Sequence, residues 1–93
     1  MAKEVIKKDG TKEPFDAEKI KNSILAAAQR TELSEDRRNE VVEQVSSAVL
    51  QAAAGKEEIT TAELREKILS ELSAIEPSVS ESWRKHEQEK GRV

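Results

Sequence analysis

Five lysines fall between Val5 and Ile24, in VIKKDGTKEPFDAEKIKNSI, and their ammonium groups are the strongest chemical resource of the chain. Lys7 and Lys8 precede Asp9-Gly10, a dipeptide suited to a tight turn, and Lys19 follows Asp16, a good helix N-cap. Lys19 therefore takes the third helical position, where a capping box would place Glu or Gln and where the helix dipole disfavours a cation. Such a lysine is tolerable as a solvated surface group. It becomes useful if an anion sits at the helix N-terminus, because free backbone N–H groups and an ammonium would then share it. Taken alone, the residues leave both readings open.

The chemistry that is absent narrows the class. The chain has no Cys and one His, His86, which removes thiol catalysis and Cys-based zinc sites and makes a metal site unexpected. No nucleophile-base-orienter set emerges, since Ser34, Thr60 and Ser78 stand where helix caps are needed and the acidic pairs fall in first helical turns or on solvated faces. Gly10 has no glycine companions, so there is neither a Walker loop nor a dinucleotide fingerprint. The expectation is a protein that is not an enzyme.

The elements that must position the lysines follow from spacing. Asp9-Gly10 predicts a type I′ hairpin pairing Lys7 with Lys12, Ile6 with Glu13 and Val5 with Pro14, with Ile6 and Phe15 on one side of it. Pro14 cannot donate to a ladder, which makes its strand short and an edge. Ala17, Ile20, Ile24, Ala27 and Ala28 predict a helix over about 17–30, and Ser34 caps a second over 35–54 with Val41, Val45, Ala48, Val49 and Ala52 on one face. Gly55 ends that helix, and Lys56-Glu57-Glu58 reads as an exposed loop. Thr60 and Glu63 form a capping box for a third helix over 61–75, carrying Leu64, Ile68, Leu72 and Ile75. Pro77 closes it, and Ser78 with Glu81 starts a fourth over about 79–90, on which Val79, Trp83 and His86 share a face before Gly91. The fold class expected is α+β: an N-terminal β-hairpin or small sheet packed on about four helices, in one domain spanning 1–93.

Charge is uneven: +2 over residues 1–30, −6 over 31–76 and +1 over 77–93. The acidic middle argues against a duplex-binding face, so nucleic acid is not expected as a partner. No apolar run approaches membrane-spanning length and no secretory signal opens the chain, which makes the cytoplasm the expected compartment.

Val5-Ile6-Lys7-Lys8-Asp9-Gly10, followed by Glu13-Pro14-Phe15-Asp16 and Lys19-Ile20, resembles the opening of the ATP-cone domain, V-x-K-R-D-G then E-x-F-x-x-x-K-I. Ile59-Thr60-Thr61-Ala62-Glu63-Leu64 is similar to the family's I-x-T-x-E-I segment, and the Trp83 helix stands where the family ends in A-Y-x-x-Y-R. ATP-cones are regulatory nucleotide-binding modules of ribonucleotide reductases and of the zinc-ribbon repressor of their genes, where they sense ATP against dATP. The resemblance implies a free-standing cone that binds ATP or dATP, with or without Mg2+, and acts on an unknown protein partner. It implies ligand contacts from Val5, Lys7, Lys8, Glu13, Phe15, Asp16, Lys19, Ile20 and Thr61, with lysines on phosphates and Glu13 to Asp16 along base and ribose. Lys8 departs from the usual Arg, keeping the charge but losing the planar fork. His86-Glu87 stands where Tyr-Arg is usual, placing an acid where a base would end the pocket and leaving Arg84, Lys85 or Lys90 to compensate. Trp83 is expected in the core. The alternative is an interaction module with the same fold that no longer binds nucleotide, and self-association is compatible with either.

Overall fold

The computed structural model describes residues 3–89, so Lys90 and Gly91 lie outside the described residues. The order is β1 Glu4–Ile6, β2 Lys12–Pro14, α1 Ala17–Gln29, α2 Glu35–Ala54, β3 Glu58–Thr60, α3 Thr61–Ile75 and α4 Pro77–Glu89. The strands form one sheet in the order β2-β1-β3, with β1 antiparallel to β2 and parallel to β3. In the bundle, α1 packs on α2 and α4, and α3 packs on the same two helices. The fold is α+β, as expected.

Helix boundaries follow their caps. The Asp16 carboxylate accepts from the Glu18 N–H at 3.0 Å and Ser34 Oγ from the Arg37 N–H at 3.2 Å. Thr60 and Glu63 complete a reciprocal capping box. Ile20, Ile24, Val41, Val45, Val49, Leu64, Ile68, Leu72 and Trp83 are all buried. On α2, however, Ala48 is half-buried and Ala52 exposed, while Val42, Ser46 and Ala53 turn inward.

The hairpin register differs from the expected one by a single residue. Val5 opposes Glu13 and Ile6 opposes Lys12. The Gly10 N–H bonds to the Lys7 carbonyl and the Lys7 N–H to the Thr11 carbonyl, which leaves Lys8, Asp9 and Gly10 as a three-residue loop. Gly10 alone takes a positive φ, +89°, so the turn is not type I′, which needs two such residues. The cause is local: the Asp9 carboxylate accepts from both the N–H and the hydroxyl of Thr11, an arrangement that suits an ordinary turn followed by a left-handed glycine. A one-residue slip exchanges the faces of every side chain. Val5 and Phe15, rather than Ile6 and Phe15, therefore pack toward the core, beside buried Ile59 of β3.

Two further expectations are corrected. Glu58 belongs to β3 and not to a loop, because Glu58–Thr60 pairs with β1, a partner more than fifty residues away in sequence. Pro77 is the first residue of α4, so Ser78 is not its cap. Glu76 ends α3, and its carbonyl accepts from Val79 and Ser80. Pro77 sits where its missing N–H costs nothing. The buried face of α4 is Val79, Ser80, Trp83 and Glu87, with His86 half-buried beside it.

Candidate functional site

The observed register sets the chemistry of the inner face of the sheet. Residues two apart on a strand share a face, so Val5 and Lys7 of the first arm lie with Glu13 and Phe15 of the second. Val5 and Phe15 are half-buried and pack on the core, while Lys7 Nζ lies 2.7 Å from Glu13 Oε1 at the exposed rim. The opposite face is closed by another pair. Lys12 on β2 reaches across β1 to Glu58 on β3 at 2.7 Å, and hydrogen bonding to Glu58 holds the Lys12 ammonium above its ordinary value. Lys8 projects from the loop, and neither it nor Lys19 has an ion pair among the described residues.

Two helix N-termini flank this face from opposite ends. Thr60 pairs with Ile6, so α3 begins beside the end of β1, and Thr61 and Lys7 each stand one residue beyond that last pair. The cap of α3 is Thr60, which leaves the Thr61 hydroxyl outside the capping box. At the other end the Phe15 N–H bonds to the Lys3 carbonyl and α1 follows, with Lys19 exposed in its first turn. A three-residue strand is roughly 10 Å long, which separates Lys19 from the hairpin loop along the sheet. Asp16 already accepts from the Glu18 N–H at the start of α1, so an anion there would sit beside a carboxylate. Ile20 is a core side chain, 8% exposed.

Arg65 was not singled out by sequence reasoning. It lies one helical turn after Thr61 on the same flank of α3 and is half-buried, and its Nε has no hydrogen-bond partner among the described residues. A buried donor left in this way costs free energy unless something accepts from it. The i, i+4 spacing from Thr61 is the signal that was available.

The Trp83 helix contributes packing. Trp83 is 2% exposed and its indole N–H points to Ser23 Oγ at 3.3 Å, so it is a core residue and not a surface for stacking a base. Glu87 is 5% exposed on the same inward face, and Arg84 and Lys85 are exposed. Two open clefts lie away from the hairpin. One, of about 320 Å³, runs between the end of α2 and α3 over Ala52, Ile59 and Leu64; the other, of about 560 Å³, has Arg30 and Lys85 on its wall together with Glu32 and Glu81. Among the described residues no group of three or more His, Asp or Glu side chains is placed to hold a metal, and no helix is long and apolar enough to cross a membrane.

Comparison with known proteins adds a family. The model of the ATP cone domain matches residues 3–88. Over 72 residues the chain is 32% identical to the transcriptional repressor NrdR of Petrotoga mobilis, covering 77% of this chain and 47% of the relative. It is 36% identical to the protein of that name from Lactobacillus delbrueckii subsp. bulgaricus, covering 77% and 45%, and 33% identical to that of Caldicellulosiruptor bescii, covering 77% and 46%. The chain thus spans about half the length of these curated relatives.

Proposed function

Because the chain belongs to the ATP-cone domain family, we propose that it is a regulatory module that binds ATP or dATP on the inner face of its hairpin and acts on a protein partner. The observation that carries this reading is the gathering of Val5, Lys7, Glu13 and Phe15 on one face, with Thr61 and the unpartnered Nε of Arg65 on the helix that starts beside it. Half-buried apolar groups suit a base, hydroxyl and carboxylate groups orient its polar edge, and cations suit the phosphates. Lys7, Lys8 and Arg65 are the phosphate partners at the loop end, and Lys19 serves a ligand long enough to reach α1. Any divalent ion would arrive with the phosphates. No catalytic step is part of the proposal.

The relatives' name assigns repression of transcription to those proteins; control of a partner by nucleotide is the corresponding role proposed here. An interaction module without nucleotide is the second reading, favoured by the Asp16 carboxylate at the start of α1 and by Glu13 against Lys7. A thermal-shift series separates the two. ATP and dATP should raise the unfolding temperature through mass action, by about 2.7 kcal/mol of stability at a hundred times the dissociation constant. ADP and GTP report the roles of the third phosphate and of the base. No shift with any of the four would leave the second reading.

A further inference from the structure

Lys7 differs from the other lysines near the inner face in being neutralised by its own chain. Its ammonium meets Glu13 at 2.7 Å, and the two side chains are 45% and 44% exposed. Lys8 and Lys19 have no such partner among the described residues. The contact is a consequence of register. With Val5 opposite Glu13, Lys7 and Glu13 become diagonal neighbours on one face. In the type I′ register they would have pointed to opposite faces.

Resting on the nucleotide reading above, we infer that Glu13 is a competing counter-ion for Lys7, which a ligand's phosphate must displace. A carboxylate beside a phosphate-binding lysine opposes every anionic ligand, and it opposes most strongly where ligand and carboxylate need the same ammonium. An ion pair this open to water is weak, so it is readily exchanged. Its effect on an equilibrium that breaks it is at most about fivefold. Glu13 thereby lowers the affinity of every ligand that needs Lys7 by the same small factor and leaves a ligand that does not use Lys7 unaffected by the exchange.

The test uses inorganic tripolyphosphate, which has neither base nor sugar and so reports the cations alone, with ATP titrated in parallel. Isothermal titration of wild type, Glu13→Gln, Lys7→Met and the double variant forms a cycle. Glu13→Gln should tighten tripolyphosphate binding roughly two- to fivefold in the presence of Lys7, and by little or nothing when Lys7 is Met. Both positions are near half exposed, so all four proteins should unfold at similar temperatures, which a melting curve checks. Equal tightening in both backgrounds would mean plain repulsion and would overturn the exchange. Unchanged or weakened tripolyphosphate binding in Glu13→Gln would overturn it as well. If none of the four proteins binds tripolyphosphate or ATP, the nucleotide reading itself fails and the exchange fails with it, a pattern distinct from binding without coupling.

Discussion

Lys19 is the residue at which local structure and proposed function pull in different directions. It is an exposed cation at the third position of α1, one turn from the Asp16 cap and against the preference of the dipole. If the bound nucleotide extends a phosphate to the start of α1, Lys19→Ala should weaken ATP binding by one charge-assisted contact, roughly 1.5–3 kcal/mol or tenfold to a hundredfold. Chemical unfolding of the same variant should show unchanged stability, or a gain of up to about 1 kcal/mol. A fall in both would mark Lys19 as structural. Gly10 makes the opposite case. A Cβ at Gly10 would meet no atom within 4 Å, so Gly10→Val should cost about 1–3 kcal/mol through its φ of +89° alone. Gly55 has equal space and a φ of −85°, and Gly55→Ala should be neutral or stabilising by up to about 1 kcal/mol. Denaturant melts of the pair check this. The lysines were legible from sequence because charge and spacing are local properties. The Lys7–Glu13 contact was not, since a slip of one residue decides whether those side chains meet. Arg65 escaped notice because one arginine on a helix resembles any surface cation until its burial is known.

The elements legible in sequence were those whose ends are defined by side chains. Ser34 and Gly55 bound α2, and Thr60 with Glu63 starts α3, each at the expected residue. The strand β3 was illegible because three residues show no period and its pairing is with a distant strand. Pro77 was read as a stop when it is also a start, since proline ends one helix and favours the first position of the next. The capping box supports the proposed site, because it fixes where α3, with Thr61 and Arg65 in its first turns, begins at the end of β3. Glu63 bonds to Thr60 through N–H and hydroxyl and also pairs with Lys56. Lys56 and then Thr60 hold its carboxyl below the usual 4.5. A carboxyl with a lower pKa in the folded state stabilises the fold above its unfolded value and loses that contribution as pH falls through the folded one. Stability should thus decline as pH drops below about 4.5. Thr60→Ala should cost about 1 kcal/mol at neutral pH. In parallel unfolding curves, Thr60→Ala should also narrow the difference between pH 6 and pH 3. Lys56→Met, which removes the larger cause, should narrow it more, and if both variants kept the full difference the acid sensitivity would arise elsewhere.

Across the whole molecule, four helices close a core around Trp83, Ile24, Leu72, Val41, Val45 and Val49 and leave the hairpin covering one end of it. Aliphatic periodicity made that core readable, because helix faces repeat whatever the tertiary contacts are. The orientation of the hairpin over the bundle had no such signal. It depends on which of two alternating sets, Val5 with Phe15 or Ile6 with Phe15, finds Ile59 beneath it. The acidic character of residues 31–76 resides mostly on the helices, so the lysines at the sheet form the part of the surface best suited to a compact polyanion. Whether this surface binds an adenine nucleotide is decided by isothermal titration with ATP and dATP, followed by chemical-shift mapping of the backbone amides. Saturable heat is expected with both ligands, with shifts concentrated at Lys7, Lys8, Glu13, Phe15, Lys19, Thr61 and Arg65. Absence of heat, together with unmoved amides at those positions, would contradict nucleotide binding there.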